Sequence, residues 1–316
     1  MTPTLPVPGG DAIAGTANGH RGPDVYGPVG RSPWLDVDWR EHQRWVLVDG
    51  QPVNTIELGS GPPLVFVHGL SGCWQNWLEQ LPVLASEHRV IAMDLPGFGY
   101  SPMPRDSITM DGYVRLLEGL LDELQAGASA VVGNSMGGLL AAKLAIAAPE
   151  RVERLALVSP GGVSTHQDPR RVHALTAMRL IELALAGSVG WVAARPGLVT
   201  GRPRLRAAAL GVVARHPDRL PAPLAAELVG GAGKPGLMQA LEAILGCDLR
   251  PRLPEIACKT LIVWGDNDRI IPVRDADIYA EMVPQSRKFI FPDTGHVAQL
   301  ERPAAFNALL RDFLAE

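Results

Sequence analysis

Short, largely apolar runs recur along the chain and alternate with longer stretches in which apolar residues return every three or four positions. The short runs have the length of buried strands, and the longer stretches have the period of helices. Strands are predicted at residues 64–67, 89–93, 129–132, 155–158, 260–264 and 288–291, and helices at 74–85, 111–124, 136–148, 275–282 and 303–314. Such an alternation predicts an α/β fold, a mostly parallel sheet with helices on both faces.

Two further strands are predicted near the start of the chain. Residues 44–48 and 53–58 flank the turn Asp49-Gly50-Gln51. An Asp-Gly pair between two apolar stretches is typical of a hairpin, whose strands are antiparallel. With the six later strands, the predicted sheet has eight strands.

The interval between the fourth and fifth of the parallel strands predicts a separate layer. Residues 163–252 contain no convincing strand and are rich in Ala, Leu, Arg and Pro. Their apolar content favours a helical cap over the carboxyl edge of the sheet, where open α/β sheets bind ligands. The core domain is then residues 34–162 and 253–316. Residues 1–33, rich in Gly and Pro, are predicted to be a mobile N-terminal extension.

The composition limits which binding partners and which cellular compartment are expected for the protein. The 316 residues hold 29 Lys and Arg against 33 Asp and Glu, a net charge of −4 without a basic stretch, which argues against nucleic acid. Cys73, Cys247 and Cys258 have no metal-like spacing and suit the reduced thiols of a cytoplasmic protein. No apolar run has the length of a membrane helix, and the N-terminus does not have the pattern of a signal peptide. A homo-oligomer is left open.

The octet Val-Val-Gly-Asn-Ser-Met-Gly-Gly at residues 131–138 is the first candidate for chemistry. Ser135 stands between Gly133 and Gly137, the G-x-S-x-G spacing that holds a nucleophilic serine on a sharp turn from strand to helix. A residue strained in this way needs neighbours without side chains two positions away. The flanking strand and helix supply the context that this motif requires. A glycine-rich turn that only packs a helix on a sheet is the alternative.

A serine hydroxyl needs a base to take its proton, and the base must itself be oriented. Two later loops supply candidates. Asp266 and Asp268 follow the predicted strand 260–264, and His296 follows the strand 288–291. The order Ser135, Asp268, His296 is that of nucleophile, acid and base in α/β-hydrolases and differs from the orders of the chymotrypsin and subtilisin folds.

These motifs together resemble the α/β-hydrolase fold family, in its serine-nucleophile branch, from about residue 45 to 314. The resemblance rests on His68-Gly69, Asp94-Leu95-Pro96-Gly97-Phe98-Gly99-Tyr100-Ser101, Gly133-Asn134-Ser135-Met136-Gly137-Gly138, Gly265-x-x-Asp268-x-x-x-Pro272 and Gly295-His296-x-x-x-x-Glu301-x-Pro303. It implies that the acid is the second aspartate, Asp268, while Asp266 accepts N–H bonds in its own turn.

The resemblance also implies an oxyanion hole and part of a pocket. The backbone N–H groups of Met136 and Leu70 are expected to receive the oxyanion, and Gly69, Trp74 and Val297 are expected beside the substrate. The histidine of His-Gly orients its loop in this family, which makes His68 a structural residue and not a general base. No metal, nucleotide or flavin is expected, since no P-loop motif occurs and the histidines and cysteines do not cluster.

Several reactions remain open to such a site. Related dehalogenases and epoxide hydrolases use an aspartate where this chain has Ser135, which leaves esterases, perhydrolases, acyltransferases and the hydrolases that cleave C–C bonds of aromatic ring-cleavage products. Gly-Asn-Ser-Met-Gly-Gly favours the C–C hydrolases, whereas Leu70-Ser71-Gly72-Cys73-Trp74 and Val297 depart from their pattern. Hydrolysis of small to medium carboxylic esters is therefore ranked first and C–C hydrolysis second.

Two further expectations concern the cap and the class of function. The cap arginines Arg170, Arg171, Arg179 and Arg195 are expected on solvated helix faces, although a C–C hydrolase needs one to pair with its acidic substrate. A non-catalytic ligand receptor is a third reading, because function belongs to the site and not to the fold.

Overall fold

The computed structural model describes residues 25–164, 197 and 200–316. One eight-stranded sheet forms the centre of the molecule. Its strands are β1 (Gln43–Val48), β2 (Gln51–Leu58), β3 (Pro63–Val67), β4 (Arg89–Met93), β5 (Ser129–Asn134), β6 (Val152–Val158), β7 (Lys259–Gly265) and β8 (Ser286–Phe291). The predicted fold class is confirmed, and every predicted strand is present within a few residues of its predicted bounds.

The strand order brings the chemical loops to one edge. The order is β1-β2-β4-β3-β5-β6-β7-β8; β1 and β2 are antiparallel to their neighbours, and the strands from β4 to β8 run parallel. In the β3–β5 register, Val67 is opposite Gly133. The loops after β3, β5, β7 and β8 therefore all leave the carboxyl edge of the sheet, as ligand-binding loops of open α/β sheets do.

The helices cover both faces of the sheet. They are α1 (Trp39–His42), α2 (Leu81–Leu84), α3 (Met110–Glu123), α4 (Met136–Ala147), α5 (Pro203–Leu210), α6 (Ala222–Gly230), α7 (Leu237–Leu245), α8 (Arg274–Met282), α9 (Ala298–Glu301) and α10 (Pro303–Leu314). Alternate residues of β3 point to opposite faces: Val65 and Val67 pack in one buried cluster, Leu64 and Phe66 in the other. Burial on both sides explains the continuous apolar runs of the strands.

The helix predicted at 74–85 forms only in pieces. The segment is a 3-10 helix over Trp74–Trp77 followed by the single turn α2. The Asn76 side chain accepts a hydrogen bond from the Cys73 N–H at 2.7 Å and so caps the first piece. Pro82, which has no N–H to donate, stands in the first turn of the second.

Part of the N-terminal extension predicted for residues 1–33 contacts the core. Residues 1–24 lie outside the described part, but from residue 25 the chain packs on the core. The Ser32 hydroxyl and the indole N–H of Trp34 donate to the buried Glu79 carboxylate at 2.7 and 2.8 Å. The Gly27 N–H donates to the carbonyl of Glu301 at 2.7 Å. These bonds tie Gly27 and Ser32 to the core, a contact that sequence composition alone does not reveal; the mobile extension and the domain bounds stay predictions.

The described part of the predicted cap is helical. Between residues 200 and 252 it contains α5, α6 and α7 and two 3-10 helices. It contacts the core through the Gly236 N–H, which donates to the Gly97 carbonyl at 3.0 Å, and through the Leu249 N–H, which donates to Gly162 at 2.7 Å. The four arginines named for the cap in the sequence lie outside the described residues. No helix in the described ranges has the length and apolar content needed to cross a membrane.

Substitution Gly137→Ala tests the close approach of α4 to the sheet. A Cβ at this position would overlap the carbonyl oxygens of Val67 and His68. We expect the free energy of unfolding in urea to fall by about 1–3 kcal/mol or more, the usual cost of overpacking. Gly246→Ala is the matched control, since its Cβ would make only ordinary contacts and should change stability by less than about 0.5 kcal/mol. Equal stability of the two variants would contradict this packing.

Candidate active site

Ser135 lies on a strained turn between β5 and α4. Its backbone has φ 58° and ψ −116°, a conformation costly for a residue with a side chain. The surrounding structure holds it there: the Ser135 N–H donates to Val158 at 2.9 Å, and the Ser135 carbonyl accepts from Leu139 and Gly161, both at 3.1 Å. Because these bonds hold the strained backbone in place, the Ser135 hydroxyl lies at the carboxyl edge of the sheet.

His296 and Asp268 are brought together by the loops after β8 and β7. The His296 Nδ1 lies 2.7 Å from Asp268 Oδ2, and both side chains are buried. Asp268 Oδ1 accepts the N–H groups of Ile270 and Ile271 at 2.8 and 2.9 Å, which orients the carboxylate. A carboxylate only accepts, so Nδ1 carries the proton and Nε2 is left as the basic nitrogen.

Asp266 occupies a different place. Its side chain is exposed, and Oδ1 accepts the N–H of Thr294 at 3.3 Å and a hydrogen bond from the neighbouring Asn267 amide. It therefore ties the β7 loop to the loop of His296 without contacting the imidazole. Of the two aspartates in Gly-Asp-Asn-Asp, it is Asp268 that lies against His296.

Two residues that the sequence did not single out fix the backbone of His296. The His296 N–H donates to the carbonyl of Val213, in the cap, at 2.8 Å. The His296 carbonyl accepts from Asn134 Nδ2 at 3.2 Å, and the same amide donates to Val158 at 3.0 Å. Asn134 precedes Ser135, so its place in the serine motif was a usable signal. No local pattern marks Val213, because its contribution is a backbone carbonyl.

His68 shapes the loop after β3. It is fully buried, and burial lowers the pKa of its imidazole, which favours the neutral ring. The Leu95 N–H donates to Nε2 at 3.0 Å, so the proton is on Nδ1, which donates to the Gly69 carbonyl at 2.7 Å. Both ring nitrogens are hydrogen-bonded to backbone groups, as expected for a structural role of His68.

The Gly69 carbonyl determines where the next N–H points. It also accepts from the Gly72 N–H, at 3.0 Å, so two bonds hold it inside the loop. In a trans peptide the following N–H points the opposite way, which turns the Leu70 N–H out of the loop. A Cβ on Gly69 would come within 3.0 Å of the Ser135 Cβ, so this peptide lies directly beside the serine.

Met136 is the first residue of α4. The first N–H groups of a helix have no partner within it, and they carry the positive end of the helix dipole. Gly69, which precedes Leu70, and Met136, the first residue of α4, both lie next to Ser135. The N–H groups of Leu70 and Met136 can stabilise negative charge on a carbonyl oxygen bound there.

The three residues predicted to lie beside the substrate occupy two different places in the structure. Gly69 lies beside Ser135, as described. Trp74 is 6% exposed, packs against Trp39 in a tilted arrangement with ring centroids 4.9 Å apart, and belongs to a buried apolar cluster. Val297 is equally buried and packs in the same cluster. The placement of Trp74 and Val297 in the substrate pocket stays a prediction. Among the described residues, no group of three His, Cys, Asp or Glu is placed to hold a metal ion.

The comparisons with known proteins agree with this architecture. Residues 64–309 match the alpha/beta hydrolase family. The chain is 32% identical to a 2-hydroxymuconate semialdehyde hydrolase of Pseudomonas sp. (strain CF600), over 86% of this chain and 94% of the relative. It is 31% identical to a 2-hydroxy-6-oxo-6-phenylhexa-2,4-dienoate hydrolase of Burkholderia cepacia, over 83% and 91%.

The three-dimensional structure of the chain is also similar to a solved structure. The crystal structure of a bacterial membrane phospholipase A superposes with a TM-score of 0.72 and 28% identity, covering 89% of this chain and 90% of that one. Because the family match spans most of the chain and the named relatives are hydrolases, the non-catalytic receptor is set aside. The chain belongs to the alpha/beta hydrolase family and is a hydrolase.

Proposed function

We propose that this protein hydrolyses a C–C bond in 2-hydroxy-6-oxo-dienoates, with Ser135, His296 and Asp268 as nucleophile, base and acid. The observation that carries the proposal is the identity of 31–32% with hydrolases named for 2-hydroxymuconate semialdehyde and a 6-phenyl dienoate, over more than four fifths of the chain. The hydrogen-bonded pair Asp268 and His296, together with the strained Ser135, supplies the groups needed for acyl transfer at the 6-oxo carbonyl of such a substrate.

The chemistry of the substrate class explains what the site has to do. Carbon 5 is a poor leaving group while it is part of the dienol. Moving the proton of the 2-hydroxyl to carbon 5 gives a 2,6-diketone, in which electrons released at carbon 5 are delocalised through the remaining double bond onto the 2-keto oxygen. Cleavage between carbons 5 and 6 then yields a carboxylic acid and a 2-hydroxypentadienoate, with one water consumed.

Each residue has a stated part in that reaction. His296 Nε2 takes the hydroxyl proton of Ser135 as the oxygen attacks carbon 6, and Asp268 stabilises the imidazolium. The N–H groups of Leu70 and Met136 receive the oxyanion, which is typically worth about 3 kcal/mol per donor. Collapse of the adduct breaks the bond between carbons 5 and 6, the departing dienolate takes the proton from His296 Nε2, and the acyl group stays on Ser135. Water, activated by His296, then releases the acid.

Ester hydrolysis, ranked first from the sequence, is the second candidate. It uses the same nucleophile, base and oxyanion hole, and an alcohol replaces carbon 5 as the leaving group. Two observations favour it: the departures at residues 70–74 and at Val297, and the likeness to a phospholipase at 28% identity. The named relatives, which match over more than four fifths of the chain, support C–C hydrolysis better.

Initial rates on 2-hydroxy-6-oxo-6-phenylhexa-2,4-dienoate and on p-nitrophenyl butyrate separate the two candidates. We expect kcat/KM for the dienoate to exceed that for the ester by at least about tenfold, since only the dienoate uses binding energy away from the reacting carbonyl. Both rates should fall by at least about 10⁴-fold in Ser135→Ala. Faster turnover of the ester would reverse the order of the candidates, and full activity of Ser135→Ala would remove Ser135 from the mechanism.

Asp268→Asn tests the assignment of the acid. The amide no longer selects the Nδ1–H tautomer, so kcat should fall by about 10³–10⁴-fold with little change in the circular dichroism spectrum. The matched control is Asp266→Asn, two residues away on the same loop and exposed, which should retain activity within about tenfold. If Asp266→Asn were the more damaging change, the acid would be misassigned.

A further inference from the structure

We infer that Glu301 is a positioning residue, whose carboxylate holds the loop of His296 in its working geometry. The inference rests on the proposed function, because it requires His296 to be the base. In the sequence, Glu301 is one member of the motif that begins at Gly295 and His296, and the motif by itself assigns it no role. Its side chain contacts neither Ser135 nor the imidazole in the hydrogen bonds of the described residues, and it acts through the backbone.

The carboxylate binds backbone on both sides of His296. Glu301 Oε1 and Oε2 accept the N–H of Gly295 at 2.9 and 3.0 Å, and Oε1 lies 3.4 Å from the N–H of Val297. Glu301 is 0% exposed. A fully buried carboxylate that receives N–H groups from the residues before and after His296 fixes the direction in which the imidazole leaves the backbone.

The same carboxylate binds two other segments of the chain. Oε2 accepts the Tyr26 hydroxyl and the Arg215 N–H, each at 2.7 Å. Burial, and secondly the Glu301 charge, raise the pKa of Tyr26, so the hydroxyl keeps its proton and remains a donor. Glu301 thus joins the N-terminal segment, the cap and the His296 loop at one point.

The cap segment also binds the backbone of the His296 loop. The Val213 carbonyl accepts the His296 N–H, and Arg215, two residues on, donates its own N–H to Glu301. A Cβ on Gly295 would lie 2.9 Å from the Arg215 nitrogen, the Val213 oxygen and Glu301 Oε1 alike, so the three groups converge on the residue before His296. Reacting groups held more loosely by even about 1 Å lose about 100-fold in rate.

Substitution Glu301→Gln removes the charge and replaces one acceptor oxygen by a donor NH₂. In one orientation of the amide the NH₂ faces the N–H groups of Gly295 and Val297, and in the other it faces the Arg215 N–H and the Tyr26 hydroxyl, so a donor meets a donor in either case. The matched control is Glu79→Gln: Glu79 is also buried and also binds the N-terminal segment, through Ser32 and Trp34, but it does not bind the His296 loop.

The readout is irreversible phosphonylation of the nucleophile by a fluorophosphonate, which requires Ser135 and its base and does not depend on the natural substrate. We expect the maximal labelling rate of Glu301→Gln to fall by about 10- to 100-fold, with the half-saturating concentration within about twofold of wild type. The low-field proton resonance of His296 Nδ1–H should shift or broaden, a signature that loss of stability alone does not give. Glu79→Gln should keep both the rate and the resonance.

Each other outcome overturns the inference. Unchanged labelling of a folded Glu301→Gln would show that His296 needs no such support, and an equal loss in Glu79→Gln would reduce the effect to general packing. If Glu301→Gln does not fold, Tyr26→Phe removes one donor and keeps the carboxylate; it should slow labelling by about threefold, and an unchanged rate would contradict us. A wild-type protein that is never labelled would overturn the proposed function as well, which separates the two failures.

Discussion

The close approach of α4 to the central strands is the constraint on which the rest of the site depends. Gly137 passes against the carbonyl oxygens of Val67 and His68, and a Cβ on Gly133 would overlap the backbone of Gly137. Only residues without side chains permit this contact, beside which Ser135 has φ 58° between a buried strand and a buried helix. The turn also sets the first N–H groups of α4 beside the serine.

The other active-site groups come to this turn from separate loops. The sheet brings the loops after β3, β7 and β8 to one edge, but their orientation is set by buried polar groups: His68 for the Leu70 peptide, and Asn134 and Val213 for the backbone of His296. Buried donors and acceptors of this kind are costly when unpaired, so a fully paired set holds one geometry. The proposed catalytic residues Ser135, Asp268 and His296 lie within that framework.

Local patterns in the sequence predicted much of the fold. Residues 89–93 and 303–314 coincide with β4 and α10, because an apolar run and a proline-started amphipathic stretch mark those bounds directly. The helix at 74–85 was wrong in detail, since side-chain capping at Asn76 and a proline interrupt a periodic stretch. The contacts of residues 25–33 with the core, and the hydrogen bond that the Val213 carbonyl accepts from His296, were not predicted, because both depend on long-range contacts. The catalytic assignment of Ser135, Asp268 and His296 stays a prediction, with a geometry that suits it.

The order of the candidate reactions changed because the triad motifs are common to ester and C–C hydrolases, whereas the likeness over more than four fifths of the chain favours the C–C hydrolases. The most direct measurement is rapid acid quenching of the enzyme with 2-hydroxy-6-oxo-6-phenylhexa-2,4-dienoate, followed by mass spectrometry of the peptide that contains Ser135. The account predicts a benzoyl group on Ser135 that forms and decays as 2-hydroxypentadienoate appears. Consumption of the dienoate with Ser135 unmodified at every time sampled would contradict it.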